Sequence, residues 1–400
     1  MLFLMLLALY VSGKHFARHG RILSQAGLGA IAVYALNEGL RFGRGIDYNL
    51  YWQDYMDLAK GWDTNLDIGF LLIEKVFLYF NLPFQVLVMF MSMMFILGTL
   101  FLMKQYRSVA IYALPLWCIM SRSAVENMVR WYLAFSFILI GLSYLIEKRD
   151  NYMKSFFLFS LLGSIIHYAI LPIPIIYYLL SFRERPLLRP KFAVVIFILV
   201  ALLFDTSMML QLVDLVNIIA SLSDKFSGYG ENAEFWLTNN ALGSESAGLG
   251  ISNTTTILFL LIFGYKYCQR AGFKYVLAYN LFTLGAIFYT IGTRIELVSR
   301  FDMVFYFFGA IVLACILKLA LVDNNEFRKI VIAGSFIVIL LINYGPFVGP
   351  FRSSPELRMY VWDHKGETPS KMINAYINEK YRMNKNYESK SQRMKSYRAR

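Results

Sequence analysis

Long apolar runs separated by short polar breaks follow one another along most of the chain. A helix needs about 20 predominantly apolar residues to cross a bilayer, and hydropathy of this kind identifies transmembrane helices. The pattern shows no internal repeat and no second soluble domain. The predicted spans lie near residues 2–12, 22–40, 84–103, 108–121, 128–146, 155–181, 192–205, 254–268, 275–292, 301–322 and 330–345.

Two apolar stretches do not fit a simple crossing. Residues 67–82 are short and carry Glu74 and Lys75, which favours a half-inserted or interfacial helix over a span. Residues 155–181 are long for one span, with His167 near the middle and two prolines soon after. This stretch predicts either one long kinked helix or a hairpin of two short helices.

The composition excludes an ordinary soluble protein. Hydrophobic residues make up 58% of the 400 residues and aromatic residues 17%. Together with the apolar runs, this predicts an all-α, polytopic transmembrane helical bundle of about 11–13 spans. It would have one re-entrant or interfacial helix and a long outer loop. We assign residues 1–350 to the membrane domain and residues 351–400 to a basic, polar C-terminal tail.

The net charge of +13 does not indicate binding to nucleic acid. Much of this charge lies in the tail and in short inter-helix loops, where lysine and arginine mainly set topology. The three cysteines, Cys118, Cys268 and Cys315, fall in apolar segments without metal-ligand spacing, so we interpret them as core residues. The first apolar run has its basic residues after it rather than before it, which predicts a span and not a signal peptide.

Loop charge predicts the orientation of the spans. Loops 13–21, 182–191 and 266–274 are basic, whereas segment 205–253 carries six acidic residues and one lysine. Placing the basic loops in the cytoplasm makes 41–67 and 205–253 outer loops, and it requires a hairpin in the long apolar stretch. A single helix there would put two basic loops outside. We therefore predict the hairpin, although this topology also leaves the basic tail outside.

Seven ionisable residues lie within or beside the apolar runs, and the predicted topology places all of them at the outer face. A charge at the centre of a bilayer costs roughly 2.5–3.5 kcal/mol, so these residues indicate a polar cavity. Five are arginines, which predicts an anionic ligand because a guanidinium pairs bidentately with phosphate. The seven residues are Arg41, Arg44, Asp47, Arg130, His167, Arg294 and Arg300.

Each of these residues also has a structural interpretation. An arginine can extend to the membrane interface and balance a nearby acid, and for Arg44 and Arg294 this alternative stays open. Arg130 has only Glu126 as a nearby acid, which favours a functional role.

His167 is the only histidine embedded in an apolar run. It is either a general base for a hydroxyl nucleophile or a hydrogen-bonded core residue. Asp47 is an alternative base, or the partner of an arginine.

Other chemistry has little support in the sequence. The aromatic residues after Asp47, including Tyr48 and Tyr51, form either a platform for sugar stacking or an interfacial aromatic belt. No second histidine or cysteine stands at ligand spacing from His167, so we predict no metal site. The chain also contains no nucleotide-binding loop and no serine-elbow motif. We predict no cofactor.

Five short segments resemble, in the same order, the motifs of the Wzy/EpsG-type polysaccharide polymerases. The hallmark of that family is an arginine followed by Gly-Thr-Asp-Tyr and, three residues on, a tyrosine, in the first outer loop. Here Ile46 replaces the threonine, and in the fourth segment the usual serine is absent. The segments are 40–51 (LRFGRGIDYNLY), 67–70 (DIGF), 129–134 (VRWYLA), 166–168 (IHY) and 299–301 (SRF) followed by Tyr306-Phe307.

The resemblance implies a polymerase of undecaprenyl-pyrophosphate-linked oligosaccharide repeat units, working at the outer face of a bacterial inner membrane. It implies that Arg41, Arg130 and Arg300 bind the pyrophosphate, with Arg44 and Arg294 in support. His167 or Asp47 would take the proton of the acceptor hydroxyl. Tyr48, Tyr51, Asp67 and Trp236 would contact the glycan. The implied partners are the lipid-linked oligosaccharide, membrane lipids and a protein that regulates chain length.

Two other classes remain open at the level of sequence. A lipid-linked oligosaccharide flippase would also gather arginines in a cavity, although transporters usually place the site at the midplane between repeats. An O-antigen ligase or another polyprenyl-dependent glycosyltransferase would share the donor and differ in the acceptor.

Overall fold

The computed structural model describes residues 2–42, 47–62, 64, 66–148, 150–203, 251–292 and 296–320, with scattered positions between 329 and 341. Throughout these residues the chain folds into helices joined by short turns. The predicted all-α class is therefore confirmed. Most of the predicted outer loop 205–253, most of the predicted span 330–345 and the whole C-terminal tail lie outside the described residues.

The helices follow one another with short connections in most of the described chain. They are α1 Leu2–His19, α2 Gln25–Gly39, α3 Tyr48–Ala59, α4 Ile68–Tyr79, α5 Phe84–Gln105, α6 Ala110–Asn127, α7 Val129–Glu147, α8 Tyr152–Ile166, α9 Pro172–Leu180, α10 Pro190–Leu203, α11 Ile251–Ala271, α12 Phe273–Gly292, α13 Glu296–Tyr306 and α14 Gly309–Ala320.

Length and hydropathy identify the protein as a multi-pass membrane protein. Within the described residues, four helical stretches are long and apolar enough to cross a bilayer: α5, α7, α12 and the stretch from Val298 through α14. Shorter apolar helices, among them α8 and α10, carry large apolar side chains on their outer surfaces. Phe157 is 54% exposed and Leu202 is 72% exposed. Apolar side chains exposed in such numbers are expected where lipid replaces water.

Helix α1 is longer than the predicted span 2–12. It continues through Lys14 and Arg18 to His19. Lysine and arginine are good helix formers, and their long side chains reach water from a helix that has already left the hydrocarbon region. The change in polarity after residue 12 therefore marks the end of the apolar segment but not the end of the helix.

The stretch 155–181 forms the predicted hairpin. Helix α8 ends at Ile166, a short 3-10 turn covers Tyr168–Ile170, and α9 begins at Pro172. The ring of Tyr178, near the end of α9, lies 6.1 Å from the ring of Phe156, near the start of α8. The two helices therefore run back along each other, and His167 lies at the tip.

Helices α3 and α4 form a short layer at one end of the bundle. Each has 12 residues, and neither belongs to the helices long and apolar enough to cross a bilayer. The hydroxyl of Tyr55 in α3 donates a 2.6 Å hydrogen bond to the carbonyl of Leu82, between α4 and α5. Leu72 and Val76 of α4 are more than half exposed, whereas Glu74 is buried. Helix α4 therefore turns apolar side chains outward and its acid inward, as expected for a helix that contacts lipid at the edge of the bundle.

Helix α7 lies in the middle of the bundle and packs closely on α5 and α8. A Cβ atom at Gly98 of α5 would lie 2.5 Å from the carbonyl oxygen of Ser136, and one at Gly163 of α8 would lie 2.7 Å from that of Ala134. Small residues of this kind allow helices to approach within a membrane. The start of α7 is therefore held firmly relative to the hairpin tip.

Basic residues gather at one end of the bundle, the basic end, which is formed by residues 13–21, 104–109, 182–191 and 266–274. The hydroxyl of Tyr106 donates to the carbonyl of Lys274 over 3.0 Å, and the side chain of Asn280 holds the backbone of residues 185 and 187. The opposite end, the site end, contains α3, α4, the hairpin tip and the start of α7. The three basic loops used to predict the topology thus lie on one side.

Candidate active site

His167 forms the centre of a polar group at the site end. Its Nδ1 atom lies 2.9 Å from Oδ2 of Asp67, and both side chains are buried. A carboxylate at Nδ1 fixes the orientation and the tautomer of the imidazole and leaves Nε2 to exchange protons. The pair therefore has the composition of an oriented general base.

The backbone at the hairpin tip explains why His167 is presented here. Its φ of −151° and ψ of 98° are extended, and this conformation ends α8. The amide of His167 still donates to the carbonyl of Gly163 over 3.0 Å, so the last turn of the helix stays closed. Pro172 occupies the first turn of α9, where a missing N–H costs no hydrogen bond. The side chain of His167 thus extends from a break between two apolar helices.

Helix α4 brings Asp67 to His167. Asp67 is the N-cap residue of α4, but its side chain makes no capping hydrogen bond and binds the imidazole instead. Gly69 permits the close approach, because a Cβ atom there would lie 2.7 Å from the carbonyl oxygen of Ile165 in α8. The segment DIGF therefore combines a carboxylate with the close helix contact that places it. The family resemblance implies that Asp67 contacts the glycan; in the structure its carboxylate contacts the histidine.

Arg130 is held by aromatic rings. The carbon of its guanidinium lies 5.9 Å from the ring centroid of Tyr51 and 5.6 Å from that of Phe70, within the range of cation–π attraction. Its Nε atom is buried without a hydrogen-bond partner, and no carboxylate in the described part of the chain forms an ion pair with it. The guanidinium is therefore available to pair with an anionic ligand. The N-terminus of α7 adds a partial positive charge at the same place.

Tyr51 supplies a neutral hydroxyl beside Arg130. Burial raises the pKa of Tyr51 to about 12, while Arg130 and Arg300 act in the opposite direction. Its phenol therefore stays protonated at physiological pH and is able to donate a hydrogen bond. Asp47, the residue before α3, also acts electrostatically on this hydroxyl.

Trp131 connects the histidine to α13. Its ring stands edge-on to that of His167 at 5.2 Å and edge-on to that of Phe301 at 6.0 Å. Arg300 precedes Phe301 and is close enough to act electrostatically on both Tyr51 and His167. A second arginine from a distant part of the chain therefore joins the same group.

Arg41 belongs to a separate buried group. Its Nη1 atom lies 3.7 Å from Oε2 of Glu38, and the two side chains are 1% and 2% exposed. Glu38 also accepts a 2.6 Å hydrogen bond from Asn37. The ring of Tyr48 lies 5.8 Å from the guanidinium of Arg41 and packs edge-on against Phe84. Tyr48 is 1% exposed, so its ring offers no free face on which a sugar could stack.

The structure thus brings together five of the predicted site residues: Tyr51, Asp67, Arg130, His167 and Arg300. Arg41 and Tyr48 form the neighbouring group around Glu38. Asp47 directly precedes Tyr48 and acts electrostatically on Tyr51. Arg44, Arg294 and Trp236 lie outside the described residues.

Glu74 is a neighbour of the site that is absent from the residues predicted from the sequence. Glu74 is fully buried, and neither carboxylate oxygen has a hydrogen-bond partner among the described residues. Burial, followed by the nearby Asp54, raises its pKa to about 8, against the opposing effect of Arg130. One signal was available in the sequence: Glu74 stands four residues after Phe70, which places both on the face of α4 that meets Arg130.

The group combines an oriented base, a neutral hydrogen-bond donor and two arginines in a largely buried setting. Arginines placed where negative charge develops stabilise a departing phosphate, and a histidine nearby is able to take a proton from a hydroxyl. The described residues contain no group of three or more histidine, cysteine or acidic side chains placed to hold a metal ion.

The fold and this site define a multi-pass membrane protein with a buried, arginine-rich centre arranged around an oriented histidine. The model of the EpsG family matches residues 29–348, a range that contains the whole centre, and the chain belongs to this family. Membership supports a polysaccharide polymerase-like function in general and a glycosyltransferase-like reaction. No curated protein and no solved structure matches the chain.

Proposed function

We propose that the protein polymerises undecaprenyl-pyrophosphate-linked oligosaccharide repeat units, transferring the growing glycan to the next lipid-linked unit. The observation that carries this proposal is the convergence of Arg130, Arg300 and the Asp67–His167 pair on one buried centre. Such a centre matches a reaction in which a hydroxyl loses a proton while a pyrophosphate departs.

In the proposed reaction the acceptor hydroxyl attacks the anomeric carbon of the growing chain. A new C–O bond forms, the bond from that carbon to the pyrophosphate oxygen breaks, and undecaprenyl pyrophosphate leaves with the bonding electrons. Nε2 of His167 accepts the hydroxyl proton, and Asp67 at Nδ1 stabilises the resulting imidazolium,. The hydrogen bond between Asp67 and His167 is kept throughout the reaction.

The arginines lower the energy of the departing group. Arg130 forms no ion pair among the described residues, so it is available to a pyrophosphate oxygen. Arg300 approaches the same place from α13, and Tyr51 is able to donate a neutral hydrogen bond. Placed in a poorly hydrated site, such groups act more strongly than they would in water.

Arg41 is assigned a supporting role in this scheme because Glu38 already balances its charge. Asp47 is the alternative base, although the geometry favours His167. Arg44 and Arg294 stay predictions as further phosphate ligands, and Trp236 as a glycan contact in the outer loop. A chain-length regulator is the protein partner that we expect, and the bacterial inner membrane is the expected location, with the site at its outer face.

The decisive experiment is turnover of a defined lipid-linked repeat unit by the purified full-length protein. We expect polymer to form, with the release of undecaprenyl pyrophosphate. Arg130→Ala should slow this reaction by about 10²–10³-fold, and His167→Ala by about 10²–10⁴-fold. Asp67→Asn should also lower the rate, since it no longer stabilises the imidazolium.

Two control variants test whether the loss is specific. Arg270→Ala and His19→Ala remove the same side-chain types at the basic end, where both residues are exposed, and both should keep wild-type rates. Normal chain lengths from His167→Ala would remove histidine from the mechanism.

In cells that lack the protein, single repeat units should accumulate on the outer face. Units trapped on the cytoplasmic face would instead indicate a flippase.

A further inference from the structure

A cavity that the proposed reaction does not use lies beside the candidate active site. It has a volume of about 340 Å³ and lies between α6, α7, the start of α11, the end of α12 and α13. This volume is at the lower end of the roughly 300–1,000 Å³ typical of sites for small molecules. The cavity therefore has room for one or two sugar rings.

Asp302 is the principal polar group of this cavity. Its side chain is 4% exposed and lines the cavity, yet within the described residues it forms neither a hydrogen bond nor an ion pair. A buried carboxylate without a partner is costly. Its oxygens together offer about four acceptor positions, so this residue calls for hydrogen-bond donors that the described part of the chain does not supply.

Gly292 at the end of α12 maintains this arrangement. A Cβ atom at Gly292 would collide with Oδ2 of Asp302 and would lie 2.8 Å from Cα of Ser299. The glycine therefore allows α12 and α13 to approach and leaves the carboxylate space in the wall of the cavity.

The remaining wall combines aromatic rings with uncharged polar groups. Tyr289 and Tyr306 stack with their ring centroids 5.8 Å apart, and the amide of Asn253 donates to the hydroxyl of Tyr289. Trp117 also lines the cavity, and its Nε1 atom has no hydrogen-bond partner in the described part of the chain. Aromatic faces together with carboxylate and amide groups match a sugar ring, which has an apolar face and a rim of hydroxyls.

The cavity and the active site share a wall. Tyr132 and Asp302 line the cavity, while the residues just before them, Trp131 and Phe301, pack together on the side of His167. The two sites are therefore separated by roughly one helix diameter, about 10 Å. A sugar bound in the cavity would therefore belong to one of the two molecules that react at His167, either the donor or the acceptor.

We propose that this cavity is a sugar-binding subsite in which Asp302 accepts hydrogen bonds from the hydroxyls of an uncharged glycan residue. The inference rests on the proposed polymerase function and adds the element that the arginine centre lacks, a place that recognises glycan rather than phosphate. Asn253 and Tyr289 orient the ring, and the carboxylate distinguishes a sugar that offers two adjacent hydroxyls from one that does not.

The test compares two probes on the full-length protein in lipid nanodiscs. The first probe is the oligosaccharide released by mild acid from the lipid-linked repeat units that accumulate in cells lacking this protein. The second is undecaprenyl pyrophosphate. Asp302→Asn should weaken binding of the oligosaccharide at least tenfold and leave binding of undecaprenyl pyrophosphate unchanged. Arg130→Ala should produce the reverse pattern.

Three measurements guard against a purely structural explanation. Asp302→Asn should be at least as heat-stable as the wild type, because it replaces a buried carboxyl group, which has no partner among the described residues, with an amide of similar shape that cannot ionise. Ala124→Leu, which reduces the space while keeping the carboxylate, should also weaken binding of the oligosaccharide. Met303→Leu, a volume-conserving change in the same wall, should bind both probes normally.

The inference is overturned if Asp302→Asn and Ala124→Leu bind the oligosaccharide as the wild type does, or if the wild type does not bind it at all. It is also overturned if Asp302→Asn loses both probes together with heat stability. In each of these cases turnover of lipid-linked units by the wild type would leave the proposed function intact. Failure of that turnover, with normal oligosaccharide binding, would refute the function and not the subsite.

Discussion

Glu74 places a carboxyl group where an ionised form is poorly tolerated. The side chain is fully buried beside Asp54, with no hydrogen-bond partner in the described part of the chain. Its folded-state pKa is about 8, compared with the ordinary value of 4.5. Between these two values the unfolded chain binds fewer protons than the folded protein. The free energy of unfolding must therefore fall as the pH rises through this range and change little above it.

Glu74→Gln should remove this dependence on pH. The glutamine resembles the protonated carboxyl in shape and cannot ionise, so the variant should melt at a higher temperature than the wild type at pH 8.5 and at a similar temperature near pH 4.5. Thermal unfolding in detergent between these pH values is the measurement. Asp57→Asn, a change on the exposed side of α3, is the control. An equal pH dependence in Glu74→Gln and the wild type would contradict the role given to this residue.

At the scale of single residues, the sequence is sufficient to predict which side chains are unusual but not which residues they contact. Arg130 and His167 were predicted because they interrupt apolar runs. The bond from His167 to Asp67, 100 positions away, depends on how α4 packs on α8, and no local pattern reports that. The pairing of Arg41 with Glu38 could have been predicted, since the two residues stand three positions apart at the end of α2.

At the scale of elements, the close contact between α4 and α8 is what makes the Asp67–His167 pair possible. Gly69 follows Asp67 by two positions, and the backbone of α8 occupies the space that a side chain at Gly69 would need. A methyl group there must push the two helices apart, because the nearest atom belongs to backbone and not to a flexible side chain.

Gly69→Ala should therefore lower the polymerisation rate by lengthening the bond between Asp67 and His167. We expect a loss of similar size to that of Asp67→Asn, and little further loss when the two changes are combined. The measurement is the turnover of lipid-linked repeat units. Gly29→Ala in α2 is the matched control, because a Cβ atom there meets nothing within 4 Å. Full activity of Gly69→Ala would show that the contact does not set the geometry of the pair.

The ends of helices were predictable where a proline or a polar residue interrupts an apolar stretch. Pro172, together with the polar residue in the middle of an apolar stretch, indicated the break at His167. The length of α1 was underestimated because charge ends a membrane span without ending a helix. The short length of α4, together with Glu74 and Lys75, predicted a separate short helix here, and its interfacial position stays a prediction.

At the scale of the whole molecule, charge separates the two ends of the bundle. The basic loops gather at the basic end, and the centre around His167 lies at the site end. The positive-inside rule would place the basic end in the cytoplasm. The outer location of the site is thus a direct prediction of the fold combined with loop charge.

Cysteine labelling in intact spheroplasts tests this orientation. Cys118, Cys268 and Cys315 are all buried, so the wild type should react little with a membrane-impermeant maleimide. Trp62→Cys, in an exposed position after α3, should be labelled from outside. Arg185→Cys at the basic end should be labelled only after lysis. The opposite pattern would place the reaction on the cytoplasmic side.

The hairpin of α8 and α9 is shorter than the membrane it crosses. Helix α8 has 15 residues and is therefore about 22 Å long, whereas the hydrocarbon core of a bilayer is about 30 Å thick. A thinner bilayer around the hairpin, or a water-filled depression above its tip, must compensate for this hydrophobic mismatch. Membrane thickness thereby becomes a variable of the chemistry, and the reaction rate should follow acyl-chain length in reconstituted vesicles.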